Sequence, residues 1–266
     1  MEWNQRMDTV TTSTSQEVMI NSRKRNLAIL SNRLSYRVCR YWMLIFTVFY
    51  GLFVGLPFLA PVFMHWGWTV PARVIYAIYS FLCHQLPERS FFLFGPKAMY
   101  SLAEIAQTHW NVYNLADLRH FIGTSELGWK VAWSDRMVSM FTSILFFAWA
   151  WWPIRKRSRP LPLWVLILLI VPMGIDGGTH MISDILGFGH AFRDTNAWLA
   201  VLTGSSLPAT FYAGDAIGSF NSFMRILTGL LFGMGVVFFG FPYLYIYFRD
   251  MGKFLEDKFQ RAGLEL

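Results

Sequence analysis

Cysteine is nearly absent from this chain: only Cys39 and Cys83 occur in 266 residues, on either side of the first long apolar run. The two are not expected to pair, and a disulfide framework of the kind that staples small secreted domains is excluded. Charge is also sparse, at 15% of residues, against roughly 25% in soluble domains. No G-x-G-x-x-G fingerprint, Walker A loop, H-E-x-x-H or C-x-x-C is present, so nucleotide, zincin and thioredoxin-type readings have no motif behind them. The first forty residues lack the apolar core and small-residue cleavage site of a signal peptide and read as a retained cytoplasmic tail.

Apolar and aromatic residues are present in excess. The hydrophobic fraction is 55%, with 25 Phe, 12 Trp and 11 Tyr, and the mean hydropathy is +0.37. Trp and Tyr suit the lipid headgroup region because each joins an apolar ring to a polar handle. The run from Trp42 to Met64 holds 23 residues without a charge. At about 1.5 Å per residue, a helix of that length crosses a hydrocarbon core about 30 Å thick. Pro57 and Pro61 predict a bend near its outer end. Three further runs follow: Met137 to Trp152, extended by Pro153 and Ile154, then Leu161 to about Ile182, then Ile226 to Phe248. The expected fold is an all-α polytopic membrane protein with about four transmembrane helices. Val70–Cys83 and Ala197–Tyr212 are apolar but short, and predict re-entrant or interfacial helices. Three regions result: a polar and basic tail over 1–41, a transmembrane domain over 42–248 and a short tail over 249–266. Gly229 and Gly233 form a G-x-x-x-G spacing that suits either close helix packing or simple flexibility.

The net charge of +7 does not point to nucleic acid, because no basic stripe is interleaved with exposed aromatics. Residues 1–41, 155–160 and 249–266 hold 15 Lys/Arg against 7 Asp/Glu, and the rest of the chain holds 8 against 9. The positive-inside rule places those basic segments, and both termini, in the cytoplasm of a multi-pass cell-membrane protein. Membrane lipids are the expected partners, with other subunits of a membrane complex as a further possibility.

Polar residues that are costly to bury gather toward the outer ends of the spans. Cys83 and His84 offer a thiolate and an imidazole, donors that suit zinc or another divalent metal, although neighbours on a helix point about 100° apart. Asp176 and His180 are four apart and share a face if the helix is continuous through Gly177 and Gly178. They could ligate the same metal, act as an acid–base pair, or only lock helices together. Arg136 and Arg225 stand at the mouths of the second and fourth spans, placed to grip an anionic cofactor or substrate group or to anchor topology, and Arg225 also to pair with a carboxylate such as Asp176 or Asp215. Asp215 lies nearby in sequence to Arg225.

Four segments resemble the DUF2085 family of membrane proteins: FLCHQLPERSFFLFG at 81–95, WSDRMVSMF at 133–141, PMGIDGGTH at 172–180 and NSFMRILTGLLFG at 221–233. The resemblance covers about residues 70–240 and implies a helical membrane fold, but no established reaction. Where family members carry cysteines near the start of the second span, this chain has Ser134, Asp135 and Arg136, and where they often carry Gln it has His180. The leading functional expectation is an accessory or structural subunit. A metal-dependent hydrolase acting on a lipid-linked substrate at the non-cytoplasmic face stands second, with Cys83, His84, Asp176 and His180 as ligands. A small-solute transporter stands third.

Overall fold

The computed structural model describes residues 22–112 and 114–266. Residues 1–21 of the tail expected over 1–41 lie outside them. The elements in order are α1 (Glu2–His65, described from Ser22), α2 (Thr69–Tyr79), β1 (Ser90–Leu93), α3 (Leu102–Ala106), α4 (Leu115–His120), β2 (Gly123–Thr124) and β3 (Gly128–Ser134). Then follow α5 (Asp135–Trp151), α6 (Leu163–Gly187), α7 (Phe192–Thr195), α8 (Ala197–Leu202), α9 (Ala209–Tyr212) and α10 (Phe220–Arg261). Four helices are long and apolar enough to cross a membrane: Ser22–His65, Asp135–Ile154, Leu163–Gly187 and Phe220–Arg261. The all-α polytopic architecture is thus the observed one.

Several boundaries differ from the sequence expectation. α1 continues through Pro57 and Pro61, and its one non-helical residue is Tyr41, at the entrance to the apolar run. α6 continues to Gly187 as helix through Gly177 and Gly178, so the i,i+4 relation of Asp176 and His180 is real. α10 extends beyond Phe248 to Arg261. The apolar segment 197–212 is broken into α8 and α9, with Gly204 in the left-handed region between them at φ +59°.

A three-stranded antiparallel sheet of order β1-β3-β2 was not foreseen. Its central strand, GWKVAWS, is buried on both faces, so it lacks the alternation that marks a half-exposed strand. Ser90 pairs with Ser134, directly before α5, which brings the Cys83–Arg89 segment to the N-terminal end of that helix. Gly128 adopts φ +78°, and a Cβ there would meet the Leu93 carbonyl oxygen at 2.3 Å, so the turn requires glycine on both counts.

The chain divides into two compact units, residues 1–46 with 244–266, and residues 47–243. In the first, Tyr36 donates to Glu256 at 2.6 Å and Trp42 stacks on Phe248 at 5.3 Å. The second is built around Trp133, which is fully buried and in ring contact with Phe53, Tyr79 and Phe141.

Within this larger unit the α5–α10 seam is made of small residues. Ser139 donates to the Ile226 carbonyl at 2.6 Å and Ser143 to that of Gly229 at 3.2 Å. A Cβ on Gly229 would fall 2.9 Å from the Met140 amide nitrogen, and one on Gly233 would fall 2.9 Å from that of Ile144 and 2.0 Å from Ser143 Oγ. Of the two readings open for these glycines, close packing is the one the backbones require. Gly240 has nothing within 4 Å of its would-be Cβ. Gly233→Ala is therefore expected to destabilise the protein by about 1–3 kcal/mol through overpacking. Gly240→Ala is expected to be neutral or to stabilise by less than about 1 kcal/mol. Thermal unfolding of the two variants in mild detergent checks this, and equal melting temperatures would count against the seam.

Candidate functional site

The N-terminal ends of α5 and α10 and the C-terminal half of α6 carry charged side chains that a low-dielectric environment tolerates only when paired. They are paired in series. Arg89, just before β1, grips Asp184 of α6 with both terminal nitrogens at 2.7 Å and donates from Nε to Asp215 at 2.8 Å. Asp215 accepts from Arg225 Nη1 at 2.6 Å, and Arg225 Nε donates to Asp135 at 2.7 Å. The other oxygen of Asp135 accepts from Ser222 at 3.1 Å. On α6, Asp176 accepts from Arg136 at 2.7 Å and from Arg193 at 2.6 Å. The two halves meet where the Arg136 amide donates to Asp135 at 2.8 Å. Four arginines thus pair with four aspartates: Asp215 and Asp176 each sit between two guanidinium groups, while Asp184, at one end, and Asp135, at the junction, each meet one.

Local structure explains how each member is held. Arg193 lies in α7, and Asn196 and Asn221 both donate to its carbonyl at 2.7 Å. Asn196 sits at φ +41°, a left-handed conformation that asparagine tolerates better than most residues. Arg136 depends on Gly177, because a Cβ there would stand 2.9 Å from its Nη1. The missing side chain makes room for the guanidinium group and does not loosen the helix. Burial opposes the charged form of Asp215, yet Arg89 and Arg225 outweigh it and hold its carboxyl well below the usual carboxylate range.

His180 Nε2 stands 2.9 Å from Arg193 Nη2. A guanidinium can only donate, so this nitrogen accepts and the ring proton sits on Nδ1. Nδ1 has no partner among the described residues, and neither does Arg136 Nε. Both residues line a cavity of about 470 Å³ together with Cys83, His84, Arg89, Arg119 and Arg225. Asp184 is the only carboxylate in that wall, since Asp135, Asp176 and Asp215 stand behind the arginines. The network is neutral as a whole, but the surface it presents to the cavity is cationic.

The residues singled out from sequence divide accordingly. Asp176 and His180 come together, with Oδ1 and Nε2 3.9 Å apart, but around arginines. Cys83 Sγ lies 3.5 Å from Ser134 Oγ and accepts from the Gln85 amide at 3.3 Å. His84 is exposed at the cavity. Among the described residues no group of three or more His, Cys, Asp or Glu is placed to hold a metal ion. Arg225 spends all three nitrogens on Asp135 and Asp215, whereas Arg136 retains a free donor. Both cysteines are unpaired and buried.

Arg193 and Lys130 were missed. Lys130 is fully buried, donates to the Gln85 carbonyl at 2.6 Å and to that of Arg119 at 2.9 Å, and burial pulls its ammonium group down to about 7. Burial likewise pushes the Glu88 carboxyl up to about 7, with Arg89 Nε 3.6 Å away.

Comparison with known proteins agrees with this architecture. The family model described as Predicted membrane protein (DUF2085) matches residues 125–239. That range contains Asp135, Arg136, Asp176, His180, Arg193, Asp215 and Arg225, and leaves the 81–95 segment outside. The chain is similar to the uncharacterized protein MJ1492 of Methanocaldococcus jannaschii, with 26% identity over 152 residues that cover 54% of this chain and 75% of the relative. No solved structure matches. The chain is a multi-pass helical membrane protein.

The series of pairs predicts graded losses. Asp215→Asn leaves both Arg89 and Arg225 short of a counter-charge and is expected to cost about 3–5 kcal/mol. Asp184→Asn, at the more exposed end, where the side chain is 20% accessible, is expected to cost less than half of that. Unfolding in detergent measures both, and equal losses would contradict a network with Asp215 at its centre.

Proposed function

We propose that this protein binds an anionic group, a phosphate or carboxylate, in the cavity at the non-cytoplasmic ends of its spans. One observation carries the reading: among the described residues the cavity wall holds Arg89, Arg119, Arg136 and Arg225 against the single carboxylate of Asp184. A phosphate or carboxylate suits such a wall, because guanidinium groups hold both through charge-assisted hydrogen bonds. The reading is of a binding site. Asp176, which a hydrolytic metal centre would need as a ligand, is taken up by Arg136 and Arg193.

Inorganic phosphate tests this directly. Added to detergent-purified protein at constant ionic strength, it is expected to raise the melting temperature in a saturable way, with millimolar affinity or better. Arg136→Gln should weaken that binding about tenfold or more, while Asp176 keeps Arg193 and the fold survives. A phosphate response identical in wild type and variant would remove Arg136 from the site and with it the proposal.

We also propose that both termini face the cytoplasm of a cell membrane, the orientation that the excess of Lys/Arg in 1–41, 155–160 and 249–266 supports. Lys156 and Gln107 are both exposed. In intact cells an impermeant maleimide is expected to label Gln107→Cys, and to label Lys156→Cys only after permeabilisation. The reverse pattern would invert the topology and place the cavity on the cytoplasmic face.

A further inference from the structure

The cavity has a wall that belongs to the outside surface of α6. That helix contributes Gly177, His180, Met181, Asp184 and Ile185 to the lining, the repeating spacing of one helical face. His180 is 3% exposed, yet Met181 is 62% and Ile185 77% exposed. Their neighbours Ile175, Ile182 and Leu186 are exposed as well, all within the candidate span Leu163–Gly187. Apolar side chains that are exposed within a membrane span face acyl chains. The mouth of the cavity beside Met181 and Ile185 therefore opens sideways into lipid.

Depth fits the same picture. Met181 lies six residues before the end of α6, about 9 Å along the axis at 1.5 Å per residue. That is the zone where hydrocarbon gives way to headgroups. Arg89, paired with Asp184, stands nearest the end of α6, and Arg136, over Gly177, stands about 10 Å deeper along the helix. Leu86, Leu115 and Met137 add apolar lining beside the guanidinium groups. A free inorganic anion gains nothing from those surfaces, whereas an amphiphile uses both.

We infer that the occupant of this cavity is an anionic phospholipid or lipid-linked phosphate, which enters laterally past Met181 and Ile185 with its phosphate on Arg136 and His180 and its chain along α6. This rests on the anion-binding reading above and names the class of anion.

The test compares three probes on the full chain in detergent: dioctanoyl phosphatidic acid, inorganic phosphate and uncharged dioctanoylglycerol. Phosphatidic acid is expected to bind at least about tenfold more tightly than phosphate, through the chain methylenes it buries, and dioctanoylglycerol should not compete with it. The double variant Met181→Ser with Ile185→Ser, both at exposed positions, should lose most of that advantage while its affinity for inorganic phosphate stays unchanged. Retained phosphate binding also shows that the variant is folded. Equal affinities for phosphatidic acid and phosphate would overturn the lipid inference and leave the anion site standing. Binding of neither would overturn both. Competition by dioctanoylglycerol as strong as that by phosphatidic acid would show a purely apolar pocket and sink the role given to the phosphate.

Discussion

A charge held at the edge of hydrocarbon must find a counter-charge within the protein, and the larger unit of this molecule is organised by that requirement. Removing one member of a buried pair is costly because the other is then stranded, while the intact pair gains little over a well-packed apolar contact. The alternation of Arg89, Arg136, Arg193 and Arg225 with Asp135, Asp176, Asp184 and Asp215 therefore acts chiefly as a specification of geometry. It fixes the ends of α5, α6 and α10 against one another, and pins the segments carrying Arg89 and Arg193 to them. Loops that would otherwise be free at the membrane surface acquire one position each.

The same network explains how a neutral cluster can offer a positive face. Three of its carboxylates sit behind the guanidinium groups, and Gly177 lets Arg136 lie close over α6. His180 extends the effect without adding charge, because accepting from Arg193 forces its proton onto the other ring nitrogen. The result is a wall of donors whose counter-ions are already placed.

What the sequence made legible follows from the strength of each signal. Long uncharged runs identify spans almost irrespective of context, so α1, α5, α6 and α10 were found, with errors confined to ends such as Arg261, where a polar helix continues past the apolar run. The strand Gly128–Ser134 was invisible because burial on both faces erases alternation. Asp176, His180, Arg136 and Arg225 stood out as polar residues inside or beside apolar segments. The structure brings them close together, but a spacing of four could not tell that Asp176 meets two arginines from distant segments. Arg193 and Lys130 lie outside the apolar runs, where charge is unremarkable. A trace of them was present in the charge counts, since 8 basic residues against 9 acidic ones outside the basic segments 1–41, 155–160 and 249–266 leaves a portion of chain nearly self-neutral, as mutual pairing requires.

The ion pair between Asp135 and Arg225 also sets the direction of the helices. Four residues on, Ser139 meets Gly229, and four further, Ser143 meets Gly233. Equal steps in the same direction mean that α5 and α10 run parallel. α6 runs the other way: Gly235 of α10 packs on Leu169 and Leu166, and the Leu161 amide donates to the Phe238 carbonyl at 3.1 Å, while its residue Asp176 reaches Arg136 at the opposite end. The chain therefore leaves α6 at the end where α10 begins. Residues 188–219, including α7, α8 and α9, make the connection on one side without crossing, which leaves the apolar segment 197–212 at the surface and Arg193 and Asp215 free to close the charge network from above.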